Sequence, residues 1–482
     1  MTDSAPTGAD DWIDSSAAAP DGGRDAISSS STSTIGSLHS DQVTHLVFNG
    51  GGGKGLAYFG SLAVLAHLGV LEETNEGRGV VATRGVDYVL GDQITGIAGT
   101  SAGGITGALL ASGWGIRRCL EVITDEELIS EFYDDHTLFE RRRPMAIEPT
   151  QRQPTQSGHR QNCAVDSFDL TSGAVWSGLT GALAWVNRPE DLTQLVNQTA
   201  AAALKPLAWV GATAIAANAI PYVRNLFSDY GLFAGCGARN FLDESLARGS
   251  AAAIGDPGRF SEFLGQTFEE HHRIHGIDVV VTGTNIEAPN GGDASTYFGR
   301  PHGMGEMRMA DALRISMGFP FVYMPTVITE AEFVDERYHG TWIDGGVLNN
   351  YPLNAFNTTE DRLPDGVLGF RLVEVDDTED GVGTIDSFQR YLGAFVGTYL
   401  ANSEKGQIRT RRHEARTVTL PIEELTTLNF SPSDQQLAVD VVNAAEATMA
   451  YFGSELVDGT PLREYDAAEL VQQYLGLRVA YE

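Results

Sequence analysis

Of the 482 residues, 64 are acidic and 32 basic, which leaves a formal net charge of −32. A surface of this sign repels phosphates and excludes nucleic acid as a partner. A hydrophobic content of 42% with 9% aromatics excludes a wholly unfolded chain. Only Lys54, Lys205 and Lys405 are lysines, and every other basic residue is arginine. Lysine-poor acidity is the pattern of a salt-adapted protein, whose self-repulsion is screened by high salt. Cys119, Cys163 and Cys236 stand far apart with no C-x-x-C pair, which supports neither structural zinc nor a disulfide framework. No basic segment followed by an apolar run opens the chain, so a cytoplasmic location is the default expectation.

Residues 1–42 are rich in Ser, Thr, Asp, Ala and Gly, lack apolar periodicity, and read as a disordered acidic tail. Order is expected from "VTHLVFNG" (43–50), a short apolar run before glycines that reads as a buried strand. "LAYFGSLAVLAHLGVL" (56–71) follows with helical spacing. "ITGIAGT" (94–100) reads as a strand and "AGGITGALLASG" (102–113) as a helix of small residues. "IDVVVTGTNIE" (277–287) and "GVLGFRLVEV" (366–375) are further strands. Strands alternating with helices predict an α/β fold around a largely parallel sheet.

Between these elements, residues 170–223 hold only Arg188, Glu190, Asp191 and Lys205 as charges, and the runs 170–187 and 206–223 hold none. Gly, Thr, Ser, Asn and Pro dilute both runs, so no membrane span is expected. Two readings stay open: a hairpin of helices buried in the core, or a helical cap that contacts a membrane at its periphery.

The chemistry begins at "GTSAG" (99–103), a G-x-S-x-G pattern at a predicted strand-to-helix turn, as a nucleophile elbow requires. The motif glycines Gly99 and Gly103 suit the permissive backbone a tight turn needs, Gly103 and Gly104 let the helix start close to the sheet, and the helix N-terminus favours the negative charge that develops in acyl transfer. A serine hydroxyl needs a base. After Asp344 the only histidine is His413, in the basic stretch "RTRRHEART", which reads as an exposed surface histidine. Asp344 itself lies in "YHGTWIDGGVLNNYPL" (338–353), where it follows an apolar stretch and precedes Gly345 and Gly346.

A glycine-rich loop, Gly50-Gly51-Gly52-Gly53-Lys54-Gly55, then Ser101 in G-x-S-x-G, then Asp344 in D-G-G: this order resembles the patatin-like phospholipase family. "GLFAGCGARNFLDESL" (231–246), "DALRISMGFPFVYMP" (311–325) and residues 416–452 are similar to further family segments. The resemblance implies a three-layer α/β/α catalytic domain over 43–455; the low-charge helical insert within it, at 170–228, is the main departure from the family pattern, and 456–482 reads as a C-terminal extension. It also implies a Ser101–Asp344 dyad that hydrolyses lipid acyl esters with no metal and no cofactor. The oxyanion hole would draw on the N–H groups of Gly50 to Gly53, with Lys54 and Gly55 shaping the loop.

Phosphate binding by the same loop is the competing reading. A Walker A loop needs Ser or Thr after its lysine, and here Gly55 follows Lys54. A dinucleotide turn wants an acidic residue about twenty positions on, near Glu72 and Glu73. A membrane-associated scaffold without catalysis is the third reading.

Overall fold

The computed structural model describes residues 38–74, 79–81, 85–125, 230–287, 294–328, 339–357, 362–375, 408, 410–427 and 432–477. The acidic tail up to residue 37 and the 170–228 insert, with Lys205 inside it, lie outside these residues, as does Lys405.

The main sheet has the order β12-β11-β1-β4-β6-β10-β9. Its parallel part comprises β1 (His45–Phe48), β4 (Gly96–Gly99), β6 (Asp278–Asn285), β11 (Val367–Glu374) and β12 (Thr417–Ile422). β7 (Ser295–Phe298) and β10 (Gly340–Asp344) pair antiparallel with β6, and β9 (Thr326–Ile328) pairs antiparallel with β10. Three small two-stranded pairs stand apart: β2 (Leu71–Thr74) with β3 (Asp87–Leu90), β5 (Gly231–Phe233) with β8 (Phe321–Tyr323), and β13 (Leu456–Val457) with β14 (Thr460–Pro461).

Helices flank this mostly parallel sheet. They are α1 (Tyr58–His67), α2 (Ala102–Ala111), α3 (Ile116–Ile123), α4 (Cys236–Ala253) and α5 (Phe268–His275), followed by α6 (Met309–Ser316), α7 (Gly346–Asn349), α8 (Arg411–Ala415), α9 (Asp434–Tyr451) and α10 (Ala467–Leu475).

Both sheet faces are buried, which is why the central strands read as unbroken apolar runs rather than alternating ones. Successive side chains still point to opposite faces. Leu46, Phe48, Ile97, Val281 and Phe370 join the larger core, while Val47, Ala98 and Val280 meet Tyr351, Leu353 and Ala355 on the other side. β11 starts at Val367, within the segment whose apolar pattern predicts it, and β12 at Thr417, within the segment 416–452 that is similar to the family.

Helix α1 is buried along Tyr58–Ala66, so it needs cover beyond the sheet. Helix α9 supplies part of it. A Cβ on Gly60 would stand 1.8 Å from the Val441 carbonyl oxygen, so the missing side chain sets how closely these helices cross. Helix α10 supplies the rest, and Leu462, Leu470, Val471 and Leu475 belong to the same core as α1. The segment after 455 therefore completes the main core. At the other terminus, order starts before residue 43. Leu38 is buried, its N–H donates to the Tyr451 hydroxyl at 3.2 Å, and Ser40 N–H donates to Glu455 at 2.8 Å. One cysteine also departs from expectation: Cys236 is disulfide-bonded, whereas Cys119 is free and buried.

A pair of stacked histidines on α5 links this core to pH. His271 is fully buried with Nε2 3.3 Å from Ser112 Oγ, and its ring centroid lies 4.5 Å from that of His275. Burial holds His271 well below 6.5 and brings His275 down to about 4. An unfolded histidine takes up a proton near pH 6.5 while the folded one resists, so stability present above 6.5 is lost as pH falls towards 4. Buried acids with raised values, Asp243 and Asp344, act with the opposite sign over part of that range. The melting temperature of His275→Gln should therefore fall less than that of wild type between pH 7 and pH 5. Equal slopes for the two proteins would show that His275 is not responsible.

Candidate active site

The register of β6 brings the two motif residues together. Val281 pairs with Gly99 of β4 and with Phe298 of β7, and Gly283 pairs with Asp344 of β10 and with Thr296 of β7. A strand has only two edges, so with β7 along one, β4 and β10 share the other. They approach from opposite directions, and their C-terminal ends meet two residues apart. Ser101 leaves one end and Asp344 ends the other. The Ser101 hydroxyl is one of the groups that favour the ionised form of the Asp344 carboxyl.

Ser101 holds φ 52° and ψ −123°, a conformation that non-glycine residues rarely adopt and that costs about 1–3 kcal/mol. Neighbouring bonds hold it there. Thr100 Oγ1 lies 2.7 Å from Thr282 Oγ1 and donates to the Asn349 carbonyl at 2.9 Å. Gly103 N–H donates to the Thr100 carbonyl at 2.9 Å, and Ser101 N–H to Ser316 Oγ at 3.0 Å. The glycines around the elbow are required by contact. A Cβ on Gly99 would lie 2.4 Å from the Gly103 backbone, and one on Gly103 would lie 2.3 Å from the Asn49 carbonyl oxygen.

Asp344 is 4% exposed, against a carboxylate's usual preference for water. Burial pushes its carboxyl up to about 7, opposed by the N–H of Gly346, the Ser101 hydroxyl and the positive charge of Arg314. The Gly346 N–H donates to Oδ1 at 2.7 Å. Gly345 fits because a Cβ there would stand 2.0 Å from Thr282 Oγ1. A base that titrates near neutrality matches what general-base catalysis requires.

The glycine loop turns after β1 into a 3-10 stretch, Gly52–Ala57, that runs into α1. Its four candidate donors are not equivalent. Gly50 N–H donates to the Asn350 carbonyl at 2.8 Å, and Gly53 N–H to the Thr427 carbonyl at 3.1 Å. Those two are engaged in holding the loop. The N–H groups of Gly51 and Gly52 have no acceptor among the described residues. Gly52, at φ +57°, would place a Cβ 2.0 Å from the Thr427 oxygen, so glycine is required there for both conformation and space. A Cβ on Gly55 would lie 3.0 Å from Ala102, the residue after the serine, so the loop stands beside the elbow.

Several expected neighbours prove otherwise. Lys54 is paired with Glu374 and largely buried. His413 is buried on α8, not exposed. It precedes the N-terminal end of β12, whereas Ser101 follows the C-terminal end of the parallel strand β4, so the two lie at opposite edges of the sheet. Glu72 and Glu73 sit on the β2–β3 hairpin, opposite Val89 and Tyr88, at the far end of α1 from the glycine loop.

Sequence reasoning did not single out the polar residues that brace the site. Asn350 Nδ2 donates to the Gly50 carbonyl at 3.0 Å, Asn49 Nδ2 donates to the Asn350 carbonyl at 3.0 Å, and Asn49 Oδ1 accepts from Leu372 N–H at 3.1 Å. Arg314, fully buried, donates to the carbonyls of Ala234 and Met324 at 2.7 and 2.8 Å. The "NN" after D-G-G was a visible signal for Asn350. Arg314 and Ser316 lie in the quoted segment 311–325, but nothing there distinguished them from their neighbours.

Comparison with solved structures finds VipD from Legionella pneumophila at 14% identity and a TM-score of 0.40, covering 85% of this chain and 66% of that one. The type III effector ExoU follows at 14% identity and 0.34, covering 85% and 53%, and the ExoU–SpcU complex from Pseudomonas aeruginosa at 16% and 0.34, covering 85% and 51%. The chain thus spans about two thirds of the first and about half of the others. No curated protein matches it. The profile described as patatin-like phospholipase matches residues 46–357, from β1 through the glycine loop, Ser101 and Asp344, and the chain belongs to that family.

Proposed function

We propose that the chain is a serine lipid acyl hydrolase with Ser101 as nucleophile and Asp344 as general base. The observation that carries this reading is the end-to-end meeting of β4 and β10 along one edge of β6, which brings Ser101 towards a buried carboxylate. In the reaction, Asp344 takes the Ser101 proton as Oγ attacks the ester carbonyl carbon. The N–H groups of Gly51 and Gly52 receive the oxyanion, where one such donor is typically worth about 2.7–4 kcal/mol in the transition state. Collapse expels the alcohol, which takes the proton from Asp344. Water then attacks the acyl-enzyme with Asp344 as base again, the bond from the acyl carbon to Ser101 Oγ breaks, and Oγ takes the proton back from Asp344 as the fatty acid leaves.

Phosphate binding by the loop has less support, because Gly50 and Gly53 are bonded within the chain and Lys54 already has Glu374. The test is a fluorophosphonate probe followed by mapping of the labelled residue. Ser101 is expected to carry the label, and a label elsewhere overturns the assignment.

The substrate is a phospholipid or a related acyl ester, met at a membrane surface from the cytoplasmic side. Phe321, at the edge of β8 opposite Gly231, and Tyr230 beside it are both exposed aromatics. No helix among the described residues is long and apolar enough to cross a membrane. The low-charge segment 170–223 is the proposed contact, with Trp176, Trp185 and Trp209 suited to an interface by their apolar body and single polar N–H. Replacing all three with Ser should weaken vesicle binding and lipid turnover and spare a short soluble ester. Equal loss of both activities would place the segment in the core.

Salt adaptation is a separate proposal that rests on the net charge. At roughly 1 M salt the Debye length is about 3 Å, so repulsion among 64 acidic residues is screened. The melting temperature should rise between dilute and molar potassium chloride, and a flat or falling trend contradicts the proposal.

A further inference from the structure

The reacting pair comes from two separate strand ends, and their mutual position has to be fixed by something that touches both. The C-terminal end of α6 does so. Ser101 N–H donates to Ser316 Oγ at 3.0 Å, and two residues on, the Gly318 carbonyl accepts the N–H of Asp344 at 3.0 Å. We propose that Ser316 is the positioning residue of the Ser101–Asp344 pair, its hydroxyl pinning the nucleophile's backbone to the same turn of chain that pins the aspartate's. The inference rests on the hydrolase reading and adds to it a residue outside all three motifs.

Three observations narrow the role. Ser316 is fully buried while Ser101 is partly exposed, so Ser316 does not meet substrate. The backbone it holds has positive φ, a conformation that relaxes unless its neighbours keep it in place. The bond also takes the Ser101 N–H out of use, which leaves the oxyanion to the open donors of Gly51 and Gly52. A displacement of even about 1 Å between nucleophile and base can cost a large factor in rate, so a bond that fixes backbone rather than side chain still acts on chemistry. Helix α6 is itself anchored away from the site by the buried pair Arg239–Asp311, 2.6 Å apart. The turn therefore offers a fixed reference to both strand ends.

The experiment compares wild type, Ser316→Ala and Ser316→Thr. With a p-nitrophenyl ester, the alanine variant should lose about five- to tenfold in kcat at unchanged KM, the effect of one lost hydrogen bond. Threonine, which keeps the hydroxyl, should recover most of it. Fluorophosphonate labelling of Ser101 should slow by the same factor. Amide hydrogen exchange at Ser101 should quicken in the alanine variant whatever the catalytic activity, so this arm does not depend on the hydrolase reading. If alanine labels and exchanges at wild-type rates, the positioning role is wrong while the hydrolase reading stands. If threonine does not fold, Ser316→Cys keeps the volume with a weak acceptor, and wild-type kinetics in that variant would also overturn the role. A wild-type chain unlabelled at Ser101 refutes the hydrolase reading, and the catalytic part of this inference falls with it.

Discussion

Ser101→Ala should abolish acyl-ester hydrolysis, by about 10⁴-fold or more in kcat, because the proposed acyl-enzyme forms on its hydroxyl. The substitution removes one oxygen from a partly exposed side chain and leaves every backbone bond of the elbow in place, including those to Ser316 and from Gly103. Its melting temperature at pH 7 should therefore stay close to that of wild type. Turnover of a p-nitrophenyl ester by the pure, folded variant is the measurement. Undiminished turnover would mean that Ser101 is not the nucleophile, whatever its geometry.

Asp344→Asn should be nearly as severe, about 10²–10⁴-fold, because the amide keeps the shape and loses the basicity. Two pH signatures accompany it. The wild-type rate should rise with pH through about 7 and level off above, since only ionised Asp344 can accept the serine proton. Stability should move the other way. Burial raises the folded carboxyl from 3.8 to about 7, so between those values the folded state holds a proton that the unfolded state has released. Stability contributed below 3.8 is then lost as pH rises towards 7. The asparagine variant carries no such penalty. It should melt higher than wild type at pH 8, with the difference shrinking towards pH 4. A variant that is both active and no more stable at pH 8 would remove Asp344 from the role of base. His413→Ala should leave the kinetics unchanged, because that histidine stands at the opposite edge of the sheet.

The legible parts of this protein were those written in local chemistry. Apolar runs such as Leu46–Phe48 in β1 and Val279–Val281 in β6 announce buried parallel strands because both faces are covered and no alternation is required. Gly99, Gly103 and Gly345 announce close backbone approaches because any side chain there would collide. The order of loop, serine and aspartate was likewise readable, and so was the chemistry those residue types can perform.

Tertiary structure decided what depends on partners distant in sequence. Among the described residues, Asn350 and Thr427, 300 and 374 positions from their donors, engage Gly50 and Gly53, while the N–H groups of Gly51 and Gly52 have no acceptor there. The partner of Lys54 is likewise distant in sequence: Glu374, at the end of β11, pairs with it. The burial that lifts Asp344 to about 7, and the Ser316–Gly318 turn that aligns it with Ser101, arise only where β4 and β10 share one edge of β6. Residue type and spacing therefore specify which groups can react, whereas desolvation and hydrogen-bond pairing, being properties of the packed interior, determine which of them are poised to do so.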